Sequence, residues 1–420
     1  ASGKLARVWS ERLYSNFLLA YSQYRSESSR GIEAGTDDPN TIRRNFGSTE
    51  ENQIRDFTLR FDTEWQLAKS HRLEFGSWFS RTNVQVGFFA NDTLEILRRD
   101  DTAVQSALYV QDKWQVFKPL ELTLGVRTTH YDVTQKKYLE PRAAFRLSLH
   151  KNIRLKGAWG QYYQFITQVV NEDPLRGNRD FWLLANERLD PSFAEHSIVG
   201  ISFENSDYLF DIEAYYKDLD GVAEFAQRFR RGPDDRPQDL FFLGTGVAKG
   251  IEFLAQKKFG TLSGWASYTH AKVEYTIPAF NSGEPYPADQ DRRHEFKLVG
   301  NYKLGKWNFA ATWVYASGSP YTAPETQYAI GLLDGQTRGY IHVGPKNGYR
   351  LPAYHRLDVS FSRRFQTNML RFDFGLSVFN VYNRANVWFR EYLLDTSPVI
   401  VRDVTTLGFT PTLTLSVGLK

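Results

Sequence analysis

The chain has 420 residues, with 52 Lys and Arg against 48 Asp and Glu, a net charge of +4. That balance, without a basic run of note, argues against a nucleic-acid partner, and the absence of cysteine excludes a disulfide framework and a thiolate metal site. Mean hydropathy is −0.47 and no stretch reaches the ~18 apolar residues of a membrane helix, which leaves open a barrel whose strands turn half their residues to a polar lumen.

Seventeen segments carry a strand-like pattern. They are 4–10, 14–25, 53–66, 73–88, 103–116, 121–132, 139–149, 153–165, 194–204, 208–219, 245–257, 262–274, 292–303, 307–318, 352–365, 369–383 and 403–420. In 307–315, Trp307, Phe309, Ala311, Trp313 and Tyr315 share one face. In 370–378, Leu370, Phe372, Phe374, Leu376 and Val378 oppose Arg371, Asp373, Gly375 and Ser377. The last run is the longest. From Thr406 to Leu419, apolar Leu407, Phe409, Pro411, Leu413, Leu415, Val417 and Leu419 alternate with small or polar residues. A period of two means one greasy face and one wet face.

The connections sort by length. Short ones are 68–71, 118–120, 150–152, 205–207, 305–306 and 366–368. Long ones are 26–52, 89–102, 166–193, 220–244, 275–291, 319–351 and 384–402; only 133–138 is brief on that side. Outer-membrane barrels combine short periplasmic turns with long extracellular loops. The fold expected is therefore all-β, a transmembrane antiparallel β-barrel filling residues 1–420 as one domain, in the outer membrane of a Gram-negative bacterium. Trp65, Trp114 and Trp307 lie near short turns, where an interfacial girdle sits.

Single-chain bacterial barrels have even strand numbers. Seventeen is odd, and counting back from a closing strand that runs to the periplasm puts the first strand's start outside the cell. The expectation is a C-terminal portion of a larger barrel. Five more strands would give the 22 of plugged transporters. On this reading no ladder joins residues 4–10 to the strand ending at Lys420. The opening Ala1-Ser2-Gly3-Lys4 does not read as a signal peptide, in keeping with a processed or incomplete chain.

From about residue 4 onward the chain resembles the barrel region of TonB-dependent outer-membrane receptors. The resemblance rests on motifs in a shared order. These are LYVQDKW (Leu108–Trp114), LTLGVR (Leu122–Arg127), EPRAAF (Glu140–Phe145) and GQYYQ (Gly160–Gln164). GVAKGIEF (Gly246–Phe253) with GWASYTHA (Gly264–Ala271), DRRHEF (Asp291–Phe296) and SGSPYT (Ser317–Thr322) follow. RLPAYHRLDVS (Arg350–Ser360) and VFNVYNRAN (Val378–Asn386) complete the series. For most of these positions the expected role is fold maintenance. Gly246 and Gly250 relieve crowding, and Arg356 with Asp358 and Arg371 with Asp373 share a lumen face. His294 and His355 act as rim hydrogen-bonders, and Asn380 and Asn383 close a strand.

The resemblance implies active import of a scarce, large nutrient: an iron chelate, cobalamin, a glycan or a peptide. It also implies a plug domain in the lumen, a TonB-type energising protein reached through an N-terminal segment, and surrounding lipid and lipopolysaccharide. Neither the plug nor that segment is in this sequence, and Lys420 stands where the family usually ends in an aromatic residue. The alternative is a plugless pore, or a barrel serving as scaffold for a surface lipoprotein.

No cofactor and no enzymatic activity are expected. The eight histidines form no HExxH, and no GxSxG or P-loop occurs. Asp100-Asp101 and Asp234-Asp235 supply oxygen ligands in predicted loops but lack EF-hand spacing, so no metal site is assigned. The ligand-binding candidates are Phe181, Trp182, Tyr286 and Tyr321, whose rings suit stacking on a sugar or chelate. Arg230 and Arg231 join them, within a cluster with Arg228 and Arg236 suited to an anion. The competing role for the aromatics is to stabilise their own loops.

Overall fold

The alternation is realised as an antiparallel wall. The computed structural model describes residues 1–34, 44–90, 94–172, 174, 178–226, 241–331, 337–393 and 399–419. The first strands are β1 (Ser2–Ser10), β2 (Leu13–Ala34), β3 (Arg44–Ala68), β4 (His71–Ala90), β5 (Leu94–Phe117), β6 (Leu120–Tyr131), β7 (Lys136–His150) and β8 (Ile153–Gln164). Then come β9 (Ile166–Asn171), β10 (Arg179–Leu184), β11 (Ser192–Glu204), β12 (Tyr208–Phe225), β13 (Phe241–Lys257), β14 (Leu262–Thr276), β15 (Tyr286–Pro287), β16 (His294–Leu304) and β17 (Trp307–Ala316). The remainder are β18 (Pro320–Tyr321), β19 (Pro324–Gly331), β20 (Thr337–Val343), β21 (Tyr349–Arg350), β22 (Tyr354–Gln366), β23 (Leu370–Phe379), β24 (Val387–Leu393), β25 (Ile400–Thr405) and β26 (Thr410–Leu419).

Seventeen of these make the wall, each antiparallel to the next. β1 to β8 pair in sequence, β8 pairs β11, and β11 to β14 continue in sequence. Then β14 pairs β16, β16 pairs β17, β17 pairs β22, β22 pairs β23 and β23 pairs β26. The expected count is met. Among the described residues β1 pairs only β2, β26 pairs only β23, and no ladder joins β1 to β26.

One face of the wall is bare and apolar. Leu108 is 62% exposed, Val199 52% and Leu413 67%, an arrangement that suits lipid rather than water. The other face carries charge pairs within strands and between them. Arg60 meets Asp62 at 2.8 Å, and Tyr109 donates to Asp62 at 2.6 Å. Arg154 and Lys258 share Glu204 at 2.8 and 2.7 Å, and Lys156 meets Asp211 at 2.9 Å. Such pairs contribute roughly 0.2–1 kcal/mol each and fix register more than they stabilise. Trp65 and Trp114 stand exposed beside short turns, and His71 stacks on Trp114 with ring centroids 5.6 Å apart.

Two expectations are corrected. The segments 26–52 and 89–102 are mostly strand, not loop: β2 pairs β3 as far as Ala34↔Arg44, and β4 pairs β5 as far as Ala90↔Leu94. β2 to β5 have 22, 25, 20 and 24 residues. At about 3.3 Å per residue they far outrun a hydrocarbon core of about 30 Å. Where both faces meet water the alternation fades although the ladder goes on. The closing segment 403–420 is divided. β25 pairs β24 in a separate two-stranded sheet, and only β26 joins the wall. Between them the backbone is claimed by the VFNVYNRAN loop: Thr406 N–H donates to the Asn386 carbonyl and Phe409 N–H to Asn383 Oδ1, both at 2.8 Å.

The ordered motifs clasp one another. Arg350 of RLPAYHRLDVS pairs with buried Asp291 of DRRHEF and donates to the Gly318 carbonyl of SGSPYT at 3.1 Å. Asn386 exchanges two bonds with the His355 backbone, at 3.1 and 3.0 Å. Asn380 is fully buried at φ 52°, where Asn is among the few tolerated residues. Its N–H donates to Asp358 at 2.9 Å, and its side-chain amide donates to the Arg384 and Leu407 carbonyls. A Cβ on Gly250 would sit 2.7 Å from the His270 carbonyl oxygen and 2.8 Å from the Tyr215 hydroxyl, so only glycine fits. His294 and His355 bond the Tyr268 and Tyr382 hydroxyls at 2.8 and 2.9 Å.

Candidate ligand vestibule and its loop lock

The long connection after β8 does not stay outside. Its hairpin, β9 with β10, runs in register from Arg179↔Asn171 to Leu184↔Ile166 and folds onto the charged, lumenal side of the wall. The reason is local pattern: Val169, Phe181 and Leu183 need cover, and β4 and β5 offer Val84, Val86, Phe88, Leu97 and Ala103 on that face. Phe165, Leu184, Leu189, Ala223 and Phe225 complete the cluster. Asn52 of β3 acts as a bracket. Its Oδ1 accepts from Trp182 N–H at 3.0 Å and its amide donates to the Trp182 carbonyl at 3.3 Å, as a strand edge would. Tyr131 donates its hydroxyl to the Ala185 carbonyl at 2.7 Å.

A second cluster holds the long connections together, and it is ionic. The Lys346 ammonium is wholly buried, 2.7 Å from Glu224, 3.5 Å from Glu172 and 3.8 Å from Asp289. Tyr286 donates to Glu224 at 3.0 Å, Thr322 to Glu172 at 3.0 Å, and Asn347 to Asp289 at 2.6 Å. Asn281 Oδ1 accepts from Lys346 N–H at 2.7 Å. One lysine thus ties the β8–β11 connection, the end of β12, the β14–β16 connection and the β17–β22 connection. Burial pushes the Glu224 carboxyl and the Tyr286 hydroxyl up. Burial opposes the Lys346 charge, but Asp289, Glu224 and Glu172 outweigh it and hold the ammonium protonated.

Two spaces flank the inward hairpin. A pocket of 410 Å³ at the long-loop end is lined by Glu50, Phe88, Asp180, Phe181, Phe225 and Trp388. A chamber of 760 Å³ on the lumenal side is lined by Asp56, Arg60, Trp78, Arg127, Glu140, Arg142 and Tyr162. In it, the Arg127 guanidinium lies 5.0 Å over Trp78 and that of Arg142 4.7 Å over Tyr162. Both volumes lie within the ordinary range for ligand pockets.

The candidates fall in different places. Phe181 is 6% exposed and T-stacked on Phe225 at 5.7 Å; Tyr286 is 1% exposed, inside the lock. Both rings are mostly enclosed by loop packing, although Phe181 also lines the 410 Å³ pocket. Trp182 is half-buried, held through its backbone by Asn52. Tyr321 is half-buried and takes a bond from Arg390 at 3.2 Å, linking the β17–β22 connection to the β24–β25 hairpin. Arg230 and Arg231, with Arg228, Arg236, Asp234 and Asp235, lie outside the described residues. Asp100 is in β5 rather than a loop and accepts from Asn83 at 2.7 Å and Gln85 at 3.0 Å, while Asp101 pairs with Arg99. Among the described residues no group of three His, Asp or Glu is placed to hold a metal ion. Sequence reading missed Trp388, 66% exposed at the pocket, and the Lys346 lock. An aromatic pair, Trp388-Phe389, directly after the asparagine-rich turn at 380–386 was the available signal for the first.

Comparison with known proteins agrees with this architecture. A family model described as "TonB dependent receptor-like, beta-barrel" matches residues 4–383. No curated protein matches in sequence. Similar solved structures include the ferripyoverdine receptor of the outer membrane of Pseudomonas aeruginosa bound to ferripyoverdine (TM-score 0.62, 13% identity, 93% of this chain and 52% of that one). The ferric-catecholate import receptor Fiu from K12 E. coli is similar at TM-score 0.64 and 13% identity, over 92% of this chain and 60% of that one. The ferric yersiniabactin uptake receptor FyuA from Yersinia pestis gives TM-score 0.63 and 14% identity, over 99% and 60%. The chain therefore spans between 52% and 60% of the length of these receptors, which are transporters and receptors rather than enzymes. With a match to the family over most of its length, the chain belongs to the TonB-dependent receptor-like β-barrel family.

Proposed function

We propose that this chain forms the barrel part of an active outer-membrane importer for a scarce, large nutrient, with an iron chelate as the leading class. The long-loop end faces outside, a plug domain occupies the lumen, and a TonB-type partner supplies energy across the periplasm. The observation that carries the reading is the mouth itself. An inward hairpin with its own apolar core and a buried four-way ionic lock narrow the entrance above a charged lumen, which suits capture of a bound ligand over free diffusion. The iron-chelate class rests on the similar receptors, which are described with ferripyoverdine, ferric catecholate and ferric yersiniabactin.

The test is uptake of radiolabelled iron chelates, cobalamin and glycans by a strain deleted for the full-length gene, with and without complementation and with and without a protonophore. Energy-dependent, saturable uptake of one class is expected. Uptake that is linear in concentration and indifferent to the protonophore would replace this reading with the plugless pore.

A further inference from the structure

Two of the long connections meet through tyrosine hydroxyls. Tyr321 of β18 lies in the β17–β22 connection, and Tyr392 lies in β24, beyond β23. Their hydroxyl oxygens stand 3.4 Å apart, and both side chains are half-buried. Arg390 Nη1 donates to the Tyr321 oxygen at 3.2 Å. Asp403 of β25 fixes that guanidinium, accepting from Nε at 2.7 Å and from Nη2 at 3.2 Å. Trp388, two residues ahead of Arg390 on the same strand, lines the 410 Å³ pocket, so this hairpin borders the vestibule.

The pair is bonded unlike other tyrosines of the mouth. Tyr286 donates to Glu224 and Tyr131 to the Ala185 carbonyl. Tyr349, whose ring centroid is 6.0 Å from that of Tyr321, donates to Glu325 at 2.7 Å. Each of those protons has an acceptor. Tyr321 and Tyr392 bring two protons, and among the described residues their hydroxyls meet only each other and an arginine, which accepts nothing. One proton lies between the two oxygens and the other finds no protein acceptor. A cationic donor already rests on the oxygen that would carry charge if a metal replaced the proton.

The spacing suits two neighbouring ligands of one metal. A hard octahedral cation with bonds of about 2.0 Å holds adjacent oxygens roughly 2.8 Å apart, so the hydroxyls need to close by about 0.6 Å. Phenolate is a hard, anionic oxygen donor, the type that ferric iron takes. Two such donors do not make a site for a bare ion. They complete a coordination sphere that a chelator has begun.

We propose that Tyr321 and Tyr392 bind the metal of a ferric chelate that leaves two adjacent coordination positions open. The inference rests on the importer reading above and narrows its substrate to complexes whose chelator supplies four donor atoms. In the binding step two metal-bound waters leave, the two tyrosine oxygens take their positions, and the two hydroxyl protons pass to solvent; the iron stays ferric. Arg390, held by Asp403, offsets the negative charge of the phenolates. A chelate that already gives iron six donors has no position to offer and is not held by this pair.

The experiment is visible absorption and resonance Raman spectroscopy of the detergent-purified full-length receptor, titrated with ferric nitrilotriacetate, which has four donors, or with a ferric trihydroxamate, which has six. The variants are Tyr321→Phe, Tyr392→Phe, the double variant, and Tyr349→Phe as a neighbouring control; heat-modifiable migration on gels shows that each is folded. Wild type and Y349F are expected to give a phenolate-to-iron charge-transfer band with ferric nitrilotriacetate and none with the trihydroxamate. The double variant is expected to lose the band and to bind ferric nitrilotriacetate at least tenfold more weakly, and the single variants decide the matter if the double variant does not fold. No band from wild type, or a band that survives in the folded double variant, would overturn the site. Energy-dependent uptake of the trihydroxamate without any band would overturn the site and leave the importer reading standing. A tyrosine-dependent band in a receptor that imports no iron complex would support the site and refute the iron reading beneath it.

Discussion

Replacing Lys346 with Met tests the loop lock most directly. The side chain is wholly buried, and the change removes the ammonium that meets Glu224, Glu172 and Asp289 while keeping most of the volume. Deleting one partner of a buried ion pair typically costs about 3–5 kcal/mol, because the remaining charge is stranded. Part of that returns if Glu224, already pushed up by burial, takes a proton. Among the described wall strands only the end of β12, at Glu224, makes these contacts, so the loss is local. At about 1.4 kcal/mol per decade, the lock's opening equilibrium rises by roughly two to four orders of magnitude. Hydrogen–deuterium exchange read on peptides covering 277–291 and 344–350 measures it, with peptides from β6 and β7 as internal reference. Adding Glu224→Gln to Lys346→Met is expected to recover part of the protection, since one stranded charge is removed. Exchange within about threefold of wild type in both loops would refute the claim that Lys346 holds them.

Other expectations concern single groups. Glu224 has a raised folded-state pKa, so its proton-linked contribution is present below the ordinary carboxyl range near 4.3 and is lost as pH rises through the folded value. Glu224→Gln should therefore flatten the pH dependence of loop protection, after correction for intrinsic exchange; an unchanged slope would point to another group. Asn52→Ala removes two backbone bonds to Trp182 and leaves buried partners unmet, for a local loss of about 1–3 kcal/mol, read as faster exchange and proteolysis across 166–185. Asn380→Ala combines a left-handed φ with lost amide bonds and should lower unfolding stability by about 2–4 kcal/mol, whereas Asn380→Gly keeps the backbone free and should lower it less. A denaturant titration in detergent that ranks glycine below alanine would reverse that account.

The wall was legible because lipid on one side and water on the other enforce a two-residue period. Leu370 to Val378 and Trp307 to Tyr315 show it plainly and lie in β23 and β17. The projecting halves of β2 to β5 were not, because Arg25-Ser26-Glu27-Ser28 and Glu50-Glu51-Asn52-Gln53 are polar at every position and leave no period, although Asn52 is buried under the inward hairpin. The alternation of 406–419 outran the strand it marked, since asparagine side chains took the backbone of its first residues. The mouth was hardest. Lys346 in sequence is one more loop cation, and only the meeting of four distant connections makes it a lock. Phe181 and Tyr286 carry the composition of ligand contacts, and their burial, at 6% and 1% exposure, depends on loops that meet only in the fold. Motif order succeeded for a physical reason: DRRHEF, SGSPYT and RLPAYHRLDVS touch through Arg350, so each constrains the others.

The unequal heights of the strands give the mouth a front and a back. β2 to β5 have 20–25 residues, while β16, β17, β23 and β26 have 10 or 11. Allowing for strand tilt, one side of the rim stands roughly 30 Å above the other. On the outward orientation proposed above, β2 to β5 form the tall side that a solute moving along the membrane surface meets, opposite the short strands and their β19–β20 and β24–β25 hairpins. The exposed Trp388 ring, from the β24–β25 hairpin, lines the same pocket as Glu50, Val86 and Leu97 of those tall strands, so the two sides of the rim meet there.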